Sequence, residues 1–167
     1  MRVDPGRATP AGWDAWAEVR AVASDRASGA AELTRRGAGA LASLPRAEVP
    51  AAAEALLRGH PSMGSLWSLA AAVLDADAAG TGRPGADAHR QAAVAFAAEL
   101  EREAGELVPA VAGRLGPRLV TISWASTVVA ACCAAGSLRP TRAWCLRSEP
   151  EGEGARTARA LRACGVA

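Results

Sequence analysis

The sequence contains no tyrosine, no lysine and a single phenylalanine, so few large aromatic side chains are available to anchor a core. Half of its residues are hydrophobic, which excludes a wholly disordered chain. Many of these are alanines, however, and an alanine buries little surface when the chain folds. The 167 residues suffice for one ordinary domain, or for a small domain joined to part of another.

The sequence also lacks an excess of either charge, with 19 basic and 17 acidic residues. A balanced charge provides no global field to attract nucleic acid or an anionic membrane, so we expect neither as a direct partner.

No segment has the pattern of a secretory signal or a membrane span. Met1–Pro10 carries two arginines without an apolar stretch behind them, which excludes a secretory signal of the usual form. Residues 119–137 are uncharged, but their second half is made of small residues, whereas a membrane helix is apolar throughout. We therefore expect a buried strand and a buried helix there, in a cytoplasmic protein.

The four cysteines do not have metal-binding spacing. No C-x-x-C occurs, and the adjacent Cys132 and Cys133 would point to different faces of a helix. Together with Cys145 and Cys164 they are expected to be reduced, buried thiols, and neither a metal nor a cofactor is expected.

Residues 11–115 have the pattern of successive helices. Apolar side chains recur every three or four residues through 13–22, 33–44 and 63–74, and prolines or glycines separate these stretches. The glycine-rich segment 80–85 is interpreted as a loop, and a long helix with a kink near Pro109 is predicted to follow it.

The pattern changes after Gly116-Pro117. Strands at 118–123 and 142–147 alternate with helices at 126–135 and 153–163, which predicts two adjacent parallel strands of a doubly wound sheet. The chain ends where a third strand should begin. The predicted fold is thus an α+β and α/β combination: a helical domain at 1–116 followed by the first, truncated part of an α/β domain at 117–167.

Four segments together resemble one family. They are similar to motifs of the translation initiation factor 2B α/β/δ-subunit family. The segments are S-D-R-A-S-G-A-A-E-L at 24–33, H-P-S-M-G-S-L-W-S-L-A at 60–70, V-T-I-S-W-A-S-T-V at 120–128 and L-R-S-E-P at 146–150, with Glu153-Gly154 after it. That family includes methylthioribose-1-phosphate isomerase and ribose-1,5-bisphosphate isomerase. Order and spacing agree across nearly the whole chain. The resemblance implies a helical domain followed by a Rossmann-like domain, of which only the first β-α-β-α part is present.

The resemblance places Ser123 where the isomerases carry a catalytic cysteine. A serine hydroxyl has little acidity near neutral pH unless a base activates it. The aspartate that works with that cysteine would lie beyond Ala167. Catalysis at Ser123 is therefore the less favoured interpretation.

The resemblance also implies phosphate-binding positions in the helical domain. Ser28, Gly29 and Ala30 match a loop that approaches the ligand phosphate in the isomerases, although Ser28 replaces its arginine. His60 stands where the isomerases have a phosphate-binding arginine. A histidine in such a turn is more often structural, so both roles stay open.

Further candidates lie where a strand end leads into a helix. Ala125, Ser126 and Thr127 occupy such a turn, where backbone N–H groups bind phosphates. The alternative is that Ser126 or Thr127 simply caps the helix. Glu153 matches a sugar-binding position, but its carboxylate would repel a phosphosugar.

The leading hypothesis is an initiation factor 2B-like protein without catalytic activity. It would be a non-catalytic or regulatory protein that binds a nucleotide or sugar phosphate, and it would form a homo- or hetero-oligomer through its Rossmann-like part. The alternative is an aldose–ketose isomerase of a pentose 1-phosphate, incomplete in this chain. A third possibility is a decayed gene product without activity.

Overall fold

The computed structural model describes residues 13–79, 87–147, 149 and 152–167. Within these ranges the chain forms seven α-helices, two β-strands and a 3-10 turn at Arg46–Glu48. The elements are α1 (Ala15–Ser24), α2 (Ala30–Ser43), α3 (Val49–Gly59), α4 (Gly64–Ala79), α5 (Ala88–Arg114), β1 (Arg118–Thr121), α6 (Ser126–Leu138), β2 (Arg142–Cys145) and α7 (Glu153–Ala163). The predicted loop at 80–85 lies outside the described residues.

The chain divides into two compact units inside α5. The first, here called the helical unit, extends to Leu100, and the second, the α/β unit, is Glu101–Ala167. The domain boundary at residue 116 stays a prediction.

The helical unit is built around apolar stripes on α1 to α4 and the start of α5. On α1, Val19 and Val22 are fully buried, and Trp13 and Trp16 pack against the same core. The indole Nε1 of Trp16 donates to the carboxylate of Glu48. The apolar spacing therefore predicted the buried face of this helix correctly.

Local signals set the helix ends in this unit. Asp14 caps α1, because its Oδ1 accepts hydrogen bonds from the backbone N–H groups of Trp16 at 2.9 Å and Ala17 at 3.0 Å. Helix α2 ends at Ser43. The next residue, Leu44, has an extended backbone because it directly precedes Pro45. The long α5 continues through Pro109 to Arg114.

In the α/β unit, β1 and β2 are adjacent and parallel, as predicted. Arg118 pairs with Arg142, and the register continues to Thr121 opposite Cys145. Each strand has four residues and ends two residues earlier than predicted. Helix α6 extends to Leu138, three residues beyond the predicted end.

Ala167 makes backbone hydrogen bonds to the edge of β2 that does not face β1, although the sheet itself has two strands. The N–H of Ala167 donates to the carbonyl of Thr141 at 3.1 Å, and its own carbonyl accepts from the N–H of Ala143 at 2.7 Å. Val166 is buried beside Gly136. Ala167 therefore lies beside β2 in the hydrogen-bonding pattern of a parallel pair.

The prediction that all four cysteines are reduced thiols is wrong for two of them. Cys133 and Cys164 form a disulfide bridge, which links α6 to the residue after α7. Cys132 and Cys145 are free thiols. Burial raises the pKa of the Cys132 thiol, and the nearby Cys145 raises it further. The packing of α7 against α6 brings together two cysteines that the sequence separates by 31 residues.

In the described part of the chain, none of the helices combines the length and the apolar character needed to cross a membrane. The uncharged segment 119–137 forms most of β1 and most of α6. The expectation that both are buried is wrong, since Val120 on β1 and Val128 on α6 are 66% and 43% exposed.

Candidate functional site

A shallow concavity lies at the start of α4 in the helical unit. Its volume is ≈ 830 Å³. The described residues that line it include two arginines, a histidine and two serines, and none of them is acidic: Arg26, Ala30, Arg58, Gly59, His60, Pro61, Ser62, Met63, Gly64 and Ser65. Two guanidinium groups beside a helix N-terminus form an environment that favours an anion.

Arg26 is held by its own turn. Its Nη1 donates to the carbonyl of Ala23 at 2.9 Å. A guanidinium has five N–H donors. The contacts of Arg26 with described residues are all made by Nη1, which also lies 3.4 Å from the carbonyl oxygen of Asp25 and 3.5 Å from Nε2 of His60. Arg26 therefore has donors available to a ligand at the edge of the concavity.

Arg58 makes one exposed ion pair. Its Nη2 donates to Oε1 of Glu54 at 2.6 Å, one helical turn earlier in α3. The side chains are 79% and 61% exposed, so water screens this pair strongly. An anion in the concavity would compete with Glu54 for the same guanidinium.

His60 is buried, at 9% exposure, and its ring is occupied with the protein. Its Nε2 lies 2.7 Å from the carbonyl oxygen of Val22 in α1. Because a carbonyl oxygen only accepts, Nε2 carries the proton and donates it there. This contact supports the structural role for His60 and leaves the arginines to supply positive charge.

The turn before α2 is organised by Asp25. Its Oδ1 accepts from the N–H groups of Ala27 at 2.8 Å and Ser28 at 2.9 Å, and Arg36 donates to its Oδ2 at 2.9 Å. Partial burial raises the pKa of Asp25, but hydrogen bonds from Ser28, Ala27 and Arg36 outweigh that effect and lower it to about 2.

Ser28 and Gly29 therefore form part of the backbone turn that leads into α2. Gly29 is the N-cap of this helix and makes no side-chain capping bond. Of the three predicted residues in this loop, only Ala30 is among the lining residues of the concavity, together with His60.

The predicted residues of the α/β unit lie after the carboxyl end of β1 and at the start of α7. Ser123 is exposed in the loop between β1 and α6. Ala125 is the N-cap of α6 and makes no capping hydrogen bond, while Ser126 and Thr127 are the first helical residues. The alternative that Ser126 or Thr127 is the N-cap is therefore wrong, and no N-cap side chain covers the first-turn N–H groups.

Thr157 connects Ser123 to Glu153. Its hydroxyl lies 3.3 Å from the carbonyl oxygen of Ser123 and 3.2 Å from that of Glu153. Glu153 is the first residue of α7, where a carboxylate is favoured by the helix dipole. The start of α7 is thereby tied to the loop that follows β1.

Two buried polar atoms near this loop have no hydrogen-bond partner among the described residues. They are Oγ1 of Thr121 and Nε1 of Trp124. The guanidinium of Arg156 lies 3.8 Å from the centroid of the Trp124 ring, in a cation–π contact. Sequence reasoning did not select these three residues.

Arg26 and Arg58 are two further candidate residues that the sequence analysis did not select. Both lie beside matched motifs, Arg26 within 24–33 and Arg58 two residues before His60. That proximity was the available signal. Among the described residues, no group of three or more histidine, cysteine or acidic side chains could hold a metal ion.

No family model matches the chain, and no curated protein matches it either. Among solved structures, the crystal structure of the translation initiation factor eIF-2B of Pyrococcus horikoshii OT3 is similar, with a TM-score of 0.70 and 23% sequence identity. The chain shares the fold of this eIF-2B protein. The alignment covers 91% of the chain but 57% of the eIF-2B structure. The resemblance drawn from the four sequence motifs is thus confirmed at the level of fold.

Proposed function

We propose that this chain is an initiation factor 2B-like regulatory protein without catalytic activity, which binds the phosphate of a sugar phosphate or nucleotide. The observation that carries the proposal is the concavity of the helical unit, where Arg26 and Arg58 lie beside the start of α4 and no acidic side chain is among the described lining residues. The motif residues Ala30 and His60 also line this concavity, and the similarity in fold to an eIF-2B protein supports the proposal.

In this proposal, the residues of the concavity have different roles in binding. Arg26 and Arg58 donate charged hydrogen bonds to the phosphate, and the first N–H groups of α4 add the field of the helix. His60 positions the turn through its contact with Val22. Ser28 and Gly29 act through the backbone turn before α2.

The α/β unit is proposed to be the first part of a Rossmann-like domain, beginning at residue 117, in a cytoplasmic protein. The parallel β1-β2 pair with α6 between the strands supports this assignment. This unit is also proposed to carry association with another protein chain, as a homo- or hetero-oligomer.

Thermal unfolding with a panel of ligands tests the binding proposal. Ribose 1-phosphate, ribose 5-phosphate, AMP and GDP are added at increasing concentrations, with ribose and adenosine as controls without phosphate. A ligand at a hundredfold excess over its Kd stabilises the native state by about 2.7 kcal/mol. The proposal predicts stabilisation by at least one phosphate ester and none by the controls. Equal behaviour of all six compounds contradicts it.

The isomerase alternative depends on Ser123. Its hydroxyl is exposed, and its carbonyl oxygen accepts from Thr157, which fixes the backbone of the loop. The direct assay is formation of a ketose phosphate from a ribose 1-phosphate substrate, with the Ser123→Ala variant as the control. Turnover by the wild-type chain that Ser123→Ala abolishes would replace the non-catalytic proposal with the isomerase.

A further inference from the structure

Arg36 on α2 lies between two carboxylates from the preceding part of the chain. Its Nε donates to Oε1 of Glu18 on α1 at 2.6 Å, and its Nη1 donates to Oδ2 of Asp25 at 2.9 Å. The three side chains are only 22%, 21% and 19% exposed, so water and salt screen these ion pairs less than pairs on the open surface. Arg36 therefore links α1, α2 and the turn between these helices.

The turn that Arg36 holds is the one that carries Arg26. Asp25 accepts from the backbone N–H groups of Ala27 and Ser28 through Oδ1, while Arg36 occupies its other oxygen, Oδ2. Arg26 lies in the chain between Asp25 and the two residues that donate to it. The backbone on both sides of Arg26 is thus fixed through one carboxylate, and that carboxylate is held from α2 by Arg36.

Arg36 also provides the positive charge that balances these carboxylates. Without it, Glu18 and Asp25 would both lose their partner at largely buried positions, which is unfavourable. Asp25 is adjacent in sequence to Arg26, so its Oδ2 would then be free to pair with the Arg26 guanidinium. By occupying Oδ2, Arg36 keeps Arg26 available to a ligand.

We propose that Arg36 is a positioning residue of the phosphate site, which fixes the turn that presents Arg26 to the concavity by holding Glu18 and Asp25. Arg36 does not itself line the concavity, so it acts on the ligand through Arg26. Arg58 projects from α3, where it pairs with Glu54, and does not depend on this turn. The inference rests on the proposed function and adds to it a residue outside the concavity.

A double-mutant cycle tests whether Arg36 acts through Arg26. Calorimetric titrations with AMP and with ribose 5-phosphate compare wild type with Arg36→Gln, which is expected to weaken binding by about fivefold or more. In the Arg26→Gln background, Arg36→Gln is expected to add less than about twofold, because the group that it positions is already lost. In the Arg58→Gln background, the loss of about fivefold should persist.

Two further variants separate positioning from a simple loss of charge. Arg36→Lys retains the positive charge but not the planar fork that reaches two carboxylates, so its binding is expected to stay at least about threefold weaker than wild type. Arg20→Gln is the matched control, since it removes one positive charge from an exposed pair with Asp14 on α1. It is expected to bind within about 1.5-fold of wild type. Circular dichroism confirms that each variant is folded at the temperature of the titrations.

Hydrogen exchange provides a measurement that needs no ligand. The backbone N–H groups of Ala27 and Ser28 are expected to exchange about tenfold faster in Arg36→Gln than in wild type, and at the wild-type rate in Arg20→Gln. Unchanged exchange in Arg36→Gln would show that Arg36 does not hold the turn, and would overturn the inference.

The titrations separate failure of this inference from failure of the proposed function. Wild type that binds neither AMP nor ribose 5-phosphate removes the site for these ligands, and the role of Arg36 with it. Wild type that binds while Arg36→Gln binds equally well overturns the role of Arg36 alone. The same conclusion follows if Arg36→Lys restores full affinity, or if Arg36→Gln costs as much in the Arg26→Gln background as in the Arg58→Gln background.

Discussion

Gly59 lies so close to Ala23 that a Cβ added to the glycine would be 2.4 Å from the alanine carbonyl oxygen. Helices α3 and α1 therefore meet backbone to backbone at the end of α3, directly before His60. This close approach lets His60 reach the carbonyl of Val22 and brings Arg58 near Arg26 at the concavity.

The first prediction is that Gly59→Ala destabilises the protein. The added methyl group has no space and faces backbone, which cannot move independently, so we expect a loss of about 2–3 kcal/mol. The control is Gly113→Ala on α5, where an added Cβ has no neighbour within 4 Å. It is expected to stabilise by roughly 0.5–1 kcal/mol, since alanine favours the helix. Urea denaturation measures both, and equal effects of the two substitutions would contradict the close packing.

The second prediction concerns acid stability. The pKa of Asp25 falls from 3.8 to about 2 in the folded protein. Its stabilising contribution is therefore fully present above pH 3.8 and is lost as the pH falls through 2. Asp25→Asn is expected to cost about 1–2 kcal/mol at pH 7, and this difference should disappear near pH 2.

Denaturant titrations of wild type and Asp25→Asn across pH 2–7 provide the measurement. Glu106→Gln is the control, because it removes an exposed ion pair with Arg102 and should change stability by less than about 0.5 kcal/mol. A stability difference for Asp25→Asn that is the same at pH 2 and pH 7 would mean that Asp25 does not stabilise through its ionised form.

The third prediction concerns the disulfide between Cys133 and Cys164. Reduction of the wild-type protein is expected to lower its free energy of unfolding by about 2–4 kcal/mol, since the bridge closes a long loop. Cys133→Ser should show the same loss without reductant and no further loss with it. Cys145→Ser, at a free thiol, should retain the response to reductant. Mass spectrometry that finds four free thiols in the oxidised protein would contradict the bridge.

The extent to which the sequence predicted this structure depended on how local each signal was. The buried face of α1, with Val19 and Val22, and the end of α2 before Pro45 depend on residues that are close in sequence. Both were therefore predicted correctly. The β-branched run at 118–123 predicted β1 but not its end, because the strand's length depends on its pairing with β2.

Signals that depend on distant packing could not be predicted in the same way. The Cys133–Cys164 bridge exists only because α7 packs on α6. Arg26 and Arg58 meet at one concavity only because Gly59 lets α3 approach α1. Neither spacing along the chain nor residue type reveals such convergence.

The fourth prediction uses the competition for Arg58. Glu54 holds the Arg58 guanidinium at 2.6 Å, and a bound phosphate must share or displace it. Glu54→Gln is expected to tighten binding of a phosphate ester by about two- to fivefold, as removal of an exposed carboxylate yields roughly 0.5–1 kcal/mol. Glu106→Gln, on α5, removes a similarly exposed carboxylate and should leave the affinity unchanged. Weaker binding by Glu54→Gln would show that Arg58 does not contact the phosphate.

The central claim is a phosphate site in the helical unit, and calorimetric titration with the most stabilising phosphate ester tests it most directly. Wild type is compared with the double variant Arg26→Gln/Arg58→Gln. The control is the double variant Arg20→Gln/Arg90→Gln. The control removes two exposed arginines that pair with Asp14 and Asp87. Loss of two charged hydrogen bonds is expected to weaken binding by at least about 100-fold in the first variant, while the control binds as wild type does. Wild-type affinity in Arg26→Gln/Arg58→Gln, or no binding by the wild-type chain, would contradict a phosphate site in the helical unit.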